Sequence, residues 1–270
     1  PTLIRFASEE QKREHLPGIG KGEIFWCECL SEPGAGSDLA SLKTQATEDG
    51  DYFVINGQKV WTSAAHEADQ CIVLARTSQE PPKHKGLSLF LADMKTPGIT
   101  VRPIVNMAGD HEFNEVFFDN VRVPKRNVVG GENQGWYVIM GLLNFERASA
   151  VPLYAVALRY IEDILQYARQ AKSPRPVLRH RLCELVIQCE MARLLTYRVA
   201  WMQEKGMPFD TEAATVKLFS AELNQRLSAL GMEVLGLYGS LSKPSKWAPL
   251  DGRPSWYYLR SIGNTLEMGA

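Results

Sequence analysis

The hydrophobic pattern of the chain changes its period once, near residue 130. Before that point, short runs rich in Val, Ile, Phe and Tyr are broken by turn-forming residues, which predicts strands. Residues 51–63 read as a hairpin. Tyr52-Phe53-Val54-Ile55 is one arm, Asn56-Gly57 a two-residue type I′ turn, and Gln58-Lys59-Val60-Trp61-Thr62-Ser63 the returning arm. Further strands are expected at 70–76, 87–92, 99–105 and 115–123, separated by turn clusters such as Pro81-Pro82 and Thr96-Pro97-Gly98. Many short strands with regular turns predict an antiparallel sandwich or barrel.

From Gly135 the period becomes helical. Leu178, Leu182, Leu185, Cys189, Ala192, Leu195, Val199 and Met202 recur at spacings of three and four, one face of a long helix. Val216, Phe219, Leu223, Leu227 and Leu230 repeat the pattern behind Asp210, an expected N-cap. A third helical stretch covers about 135–170, where Pro152 must stand near a helix start or impose a kink. A short helix is also expected at 8–16. The fold class is therefore α+β with several domains: an antiparallel β-sandwich or barrel domain, then an antiparallel helical bundle.

Composition narrows the function. The 270 residues include 30 basic and 31 acidic side chains, a formal net charge of −1, which argues against nucleic-acid binding by bulk positive charge. The longest apolar run, 136–143, is far short of a membrane span. Five scattered cysteines do not read as a disulfide framework, so a reducing compartment is expected. The chain has no starting Met and no secretory signal, and reads as a fragment or a protein whose front has been removed.

Several chemistries lack their residues. Cys27-x-Cys29 has no second Cys/His pair nearby, and His111-Glu112 lacks the second histidine of HExxH, so no metal site is expected. Neither a GxSxG elbow nor a GxGxxG after a strand occurs. Three features remain. The loop Ser31-Glu32-Pro33-Gly34-Ala35-Gly36-Ser37-Asp38 is small and polar, so a ligand could approach its backbone; the plain alternative is a tight turn before a strand. Trp61-Thr62-Ser63 offers a flat apolar slab beside hydroxyls, or simply sheet core. Glu146-Arg147 lies in an apolar helical stretch, where desolvation would raise a carboxylate toward general-base duty; a Glu beside an Arg is otherwise an ordinary solvated pair.

In order and spacing these stretches resemble the FAD-dependent acyl-CoA dehydrogenases. The resemblance rests on Trp26-Cys27 leading into SEPGAGSD at 31–38, on Gly50-Asp51-x-Phe53-Val54-Ile55-Asn56-Gly57-Gln58-Lys59-x-Trp61-Thr62-Ser63, and on Glu115-Val116-Phe117-Phe118-Asp119-Asn120-Val121-Arg122-Val123-Pro124. It continues through Asn127 to Gly130 and Gly131-Glu132-Asn133-Gln134-Gly135-Trp136. It implies three parts: the tail of an N-terminal helical domain at 1–24, a flavin- and acyl-CoA-binding β-domain at 25–134, and a C-terminal helical bundle from 135, truncated at 270.

The reaction implied is α,β-desaturation of an acyl-CoA thioester. A carboxylate removes the α-proton, and the β-hydrogen leaves as hydride to FAD N5. By the same resemblance Leu30 and Ser31 meet the pyrimidine edge of the flavin. Gly36 and Ser37 lie near the pyrophosphate and the substrate's pantetheine, Trp61 packs on the ring, and Ser63 replaces the usual Thr near N5. The family places its base at one of two positions. One falls at Gly269, which has no carboxylate. The other falls at Glu146, the expected base here, with Arg147 beside it; Glu267 is the runner-up. Two segments depart from the family pattern, 169–176 and 233–239, where cross-subunit FAD contacts are expected.

Those departures motivate an alternative, a non-catalytic subunit of a hetero-oligomeric acyl-CoA dehydrogenase; a third reading is an acyl-CoA oxidase. Further implied properties are a role in lipid metabolism, an electron-transfer protein as acceptor and a homo- or hetero-oligomer, commonly a homotetramer. The implied location is the bacterial cytoplasm or the mitochondrial matrix.

Overall fold

Eight strands hydrogen-bond into one sheet in the computed structural model, which describes residues 1–148, 151–170 and 176–268. They are β1 (Trp26–Cys29), β2 (Gln45–Asp49), β3 (Tyr52–Ser63), β4 (Gln70–Arg76), β5 (Leu87–Asp93), β6 (Ile99–Val105), β7 (His111–Pro124) and β8 (Val128–Val129). The order is β6-β7-β3-β2-β4-β5-β8, with β1 paired to β4. Most pairings are antiparallel; β1 with β4, and a single β2–β4 contact, are parallel. Strands β4 and β5 are buried along almost their whole length, which is why they read as continuous apolar runs rather than alternating ones. The core beneath them contains Phe53, Ile55, Phe90, Val116, Phe118 and Val121, with Cys27, Cys29 and Cys71 clustered across β1 and β4.

The hairpin expected at Asn56-Gly57 is not formed. Residues 52–63 are one strand, and the turn lies earlier, at Gly50-Asp51 between β2 and β3. Gly57 marks a bulge against β7 instead. A Cβ there would stand 2.7 Å from the Thr44 Cα, so glycine serves close approach of two backbones. Pairing with β2 along one edge and β7 along the other outweighs the local turn preference.

Two helices precede the sheet: α1 (Thr2–Phe6) and α2 (Glu9–Lys21). Ser8 and Gln11 form a reciprocal capping box at the start of α2. The buried Gln11 amide also donates to the carbonyls of Arg126 (2.8 Å) and Val128 (3.0 Å), which ties α2 to the end of the sheet.

Among the described residues five helices follow: α3 (Gly135–Ala148), α4 (Val151–Gln170), α5 (Pro176–Glu204), α6 (Asp210–Leu235) and α7 (Arg253–Asn264). Pro152 is the second residue of α4, near the helix start as its chemistry demands. The chain divides into two units, 1–142 and 143–270, so the division falls within α3.

In the second unit the inward face of α5 carries Leu178, Leu182, Leu185, Cys189, Ala192, Thr196, Val199 and Met202. Helices α5 and α6 run antiparallel, since Arg181 pairs with Glu233 (2.6 Å), Gln188 with Arg226 (3.2 Å) and Arg198 with Glu212 (3.5 Å). Tyr160 of α4 lies against Tyr257 of α7 with centroids 4.6 Å apart, and Arg253 reaches Asp163 at 2.9 Å. Asp210 is the first residue of α6 rather than its N-cap, which is Phe209. Its carboxylate accepts instead from the Asn144 amide at 2.6 Å. No helix among the described residues is long and apolar enough to cross a membrane.

Candidate functional site

The loop after β1 is held by charge buried beneath it. Lys59 is fully buried on β3, and its ammonium donates to the Leu30 carbonyl (2.9 Å) and to Glu32 Oε1 (3.0 Å). Glu32 is buried too, and accepts from the backbone N–H groups of Lys43 (2.6 Å) and Thr44 (2.8 Å). Burial alone would raise the Glu32 carboxyl. The charge of Lys59 and the Lys43 and Thr44 hydrogen bonds outweigh it and hold the group below the usual carboxylate range. One acidic side chain therefore closes the loop on itself, while one basic side chain fixes it to β3.

Farther along, Arg76 donates to the carbonyls of Ala40 (2.6 Å), Leu42 (3.2 Å) and Lys83 (3.0 Å), and Lys83 bonds both carboxylate oxygens of Asp38 at 2.8 Å. Glu32 and Lys59 stand in the sequence motifs without a role of their own, and Arg76 stands outside them. The available signal was a lysine at an inward position of a strand whose other inward residues are Phe53, Ile55 and Thr62. A buried ammonium requires an anionic or carbonyl partner.

Upon this base the expected contact residues open outward. Leu30 and Ser31 are half-buried, and the Ser31 carbonyl accepts from Val60 N–H at 2.9 Å, which sets the loop beside β3. Gly36 and Ser37 are exposed at the loop tip. A Cβ at Gly34 or Gly36 would meet no protein atom within 4 Å, and neither backbone is left-handed. The folded chain therefore gives no reason for glycine at either position, whereas close approach of a ligand does.

Trp61 is not sheet core. A second bulge between Lys59 and Thr62 puts its backbone in the left-handed region (φ 62°) and leaves the residue 59% exposed. Its indole meets the edge of Phe113, with centroids 5.9 Å apart. A bulky residue in that conformation is strained, and such strain gathers at functional sites. Ser63 is exposed two residues on, while Thr62 between them is buried. Ser31, Trp61 and Ser63 thus lie on two elements, the loop after β1 and strand β3, that the Ser31–Val60 bond ties to each other.

The flat apolar slab of Trp61, the hydroxyls of Ser31, Ser37 and Ser63 and a glycine tip with free space are residue types that suit a tricyclic ring with a phosphate tail, as FAD has. Replacing Gly36 by Val is expected to leave the unfolding midpoint within experimental error and to weaken FAD binding about tenfold, one lost approach being worth ~1.4 kcal/mol. Fluorescence titration with FAD beside thermal denaturation checks both halves.

The second unit holds the acidic candidates. Glu146 is half-buried in the last turn of α3. Arg147 follows it, its side chain lying outside the described part. Glu267 is held by Arg260 through Oε2 (3.0 Å) and Oε1 (3.5 Å), so its carboxylate is engaged by a guanidinium. The segment 233–239 ends α6 and turns at Gly236, presenting Leu237 and Tyr238 to solvent. Residues 171–175 of the other divergent segment, and Gly269, lie outside the described residues. Among the described residues there is no cluster of three or more His, Cys, Asp or Glu arranged to hold a metal.

Known proteins resemble the chain in sequence and in fold. Residues 27–121 match the family description "Acyl-CoA dehydrogenase, middle domain", and residues 133–260 match "Acyl-CoA dehydrogenase, C-terminal domain". The chain is 42% identical over its whole length to "Acyl-CoA dehydrogenase IpdE1" of Mycobacterium tuberculosis, spanning 69% of that protein. Among solved structures, "Tcur3481-Tcur3483 steroid ACAD G363A variant" superposes over the whole chain and 71% of its own, with a TM-score of 0.95 and 35% identity. The "ChsE4-ChsE5 complex from Mycobacterium tuberculosis" covers the same shares with a TM-score of 0.90 and 32% identity. With both family domains in register and an overall identity this high, the chain belongs to the acyl-CoA dehydrogenase family.

Proposed function

We propose that this chain carries out flavin-dependent α,β-desaturation of an acyl-CoA, with FAD seated on the β-unit and Glu146 as the base. The observation that carries the reading is the exposed, left-handed Trp61 beside Ser63 and the open Gly34–Gly36 loop. FAD, when bound there, supplies the hydride acceptor for the β-hydrogen. The remaining work belongs to the chain. Ser31 and Leu30 orient the polar edge of the ring, Trp61 covers it, and Ser63 offers a hydroxyl near its reactive edge. Gly36 and Ser37 admit the phosphates and the pantetheine arm. Glu146 removes the α-proton through its carboxylate. Glu267, which pairs with Arg260, is the second candidate for the base.

The substrate class proposed is a bulky, ring-bearing acyl-CoA. Its support is the similarity to a chain described as a steroid ACAD. The direct test is anaerobic addition of short, branched, long-chain and steroid-derived acyl-CoAs to the purified yellow protein, following loss of the flavin band. Bleaching by the steroid-derived thioester alone is the expected outcome; bleaching by none overturns the reading. Colourless protein that takes up no FAD favours the non-catalytic subunit, and fast peroxide formation in air favours the oxidase.

Assembly with a second subunit is part of the same proposal. Opposite its buried face, α5 exposes Ile187, Met191, Leu194 and Trp201 at spacings of four, three and seven. An exposed apolar stripe of this kind marks an interface. Two of the similar structures pair differently named chains, which supports a hetero-oligomer. Charging the stripe with Met191→Glu and Leu194→Glu is expected to reduce the species seen by light scattering to a single chain; an unchanged mass refutes this surface.

A further inference from the structure

We infer that Asn114 is a positioning residue for the flavin contacts, and that His66 and His111 set its amide. The inference rests on the proposed flavin site and extends it to the far side of β3.

Asn114 is fully buried on β7, directly opposite Thr62 in the strand register. Thr62 is the residue between Trp61 and Ser63, where pairing with β7 resumes after the bulge. The Asn114 side chain adds a bond there, its Nδ2 donating to the Thr62 carbonyl at 3.1 Å. The same Nδ2 donates to His66 Nδ1 at 3.1 Å, and Oδ1 accepts from His111 Nε2 at 2.8 Å. Both amide N–H groups and the amide oxygen are engaged, so the amide has one satisfied orientation. The two imidazoles stack, with centroids 3.9 Å apart and planes 23° from parallel. They line an open cavity of about 300 Å³ together with Ala65, Met94, Lys95 and Val101.

In this arrangement His66 Nδ1 accepts from the amide while His111 donates to it through Nε2, and His66 Nε2 faces Glu67 at 3.6 Å. An amide turned over by half a revolution would set Oδ1 against the Thr62 carbonyl, oxygen against oxygen. The two imidazoles therefore hold the amide in the orientation that donates to Thr62, and with it the backbone that presents Trp61 and Ser63.

The experiment uses the purified protein, with any subunit that copurifies. Asn114→Asp keeps the shape but removes the donor and sets an anion against the Thr62 carbonyl. His66→Leu removes the acceptor that faces the amide, and His66→Gln keeps one. The expected results are an FAD dissociation constant about tenfold higher in Asn114→Asp, several-fold higher in His66→Leu, and nearer the wild type in His66→Gln. In FAD-free protein, the near-UV circular dichroism band of Trp61, obtained by difference against Trp61→Phe, changes in Asn114→Asp and in His66→Leu. Wild-type affinity and an unchanged Trp61 band in Asn114→Asp would overturn the inference, as would a His66→Leu indistinguishable from the wild type. If Asn114→Asp does not fold, His66→Leu against His66→Gln decides. If the wild type binds no FAD, the flavin reading fails by itself, and the Trp61 band alone decides the Asn114 assignment: a band that changes in His66→Leu and less in His66→Gln supports it, and any other result overturns it.

Discussion

Glu146→Gln is expected to yield yellow protein whose flavin is reduced by acyl-CoA on the order of 10²–10⁴-fold more slowly than in the wild type, the usual worth of a general base. Glutamine keeps the size of the side chain but cannot take a proton from carbon. FAD retention follows because every proposed ring contact belongs to the β-unit. Anaerobic stopped-flow reduction provides the rate, and equilibrium titration the thioester affinity, which should change little. Glu267→Gln is the control: its carboxylate is held by Arg260, so the variant should reduce at close to the native rate. Native-rate reduction in Glu146→Gln together with loss in Glu267→Gln would move the base to the C-terminal end.

The second large effect concerns stability. Lys59→Met leaves Glu32 buried with only two backbone donors, and breaking one side of a buried ion pair costs about 3–5 kcal/mol. The double variant Lys59→Met/Glu32→Gln removes the stranded charge and should recover part of that loss. FAD affinity should not recover with it, because the bond from Lys59 to the Leu30 carbonyl is still missing. Denaturant unfolding beside FAD titration separates the two effects. The pH dependence has a definite sign. Glu32 is held below its unfolded value, so its contribution is complete above about pH 4.3 and is lost as pH falls through the lower folded value. Glu32→Gln alone should flatten the acid limb of the stability curve; an acid limb identical to the wild type would show that Glu32 does not titrate with folding.

Much of the architecture could be read before any coordinates. The bounds of β4 and β6 coincide with the expected runs, because each is an apolar or β-branched segment closed by turn residues. The inward face of α5 follows its spacing closely, with Thr196 buried where Leu195 was expected. What escaped depends on partners distant in sequence. Gln45-Ala46-Thr47-Glu48-Asp49 buries only Ala46, and becomes β2 because β3 pairs with it. Asn56-Gly57 carries a strong local turn signal, but two neighbouring strands impose an extended course on it. The site shows the same limit. Trp61, Ser63 and the glycine loop were visible as residue types, but the Glu32–Lys59 tie joins residues 27 positions apart. Likewise the exposure of Trp61 comes from a bulge that no local pattern announces.

All five cysteines are among the described residues, and four of them are buried while Cys183, on α5, is exposed. The chain therefore carries a native handle for a single thiol-reactive dye, with no need to delete the others. Because the handle lies on the helix whose apolar stripe is proposed to meet a second subunit, the rate of its alkylation becomes a clock for assembly. Slow labelling would mark the joined form and fast labelling the separated one.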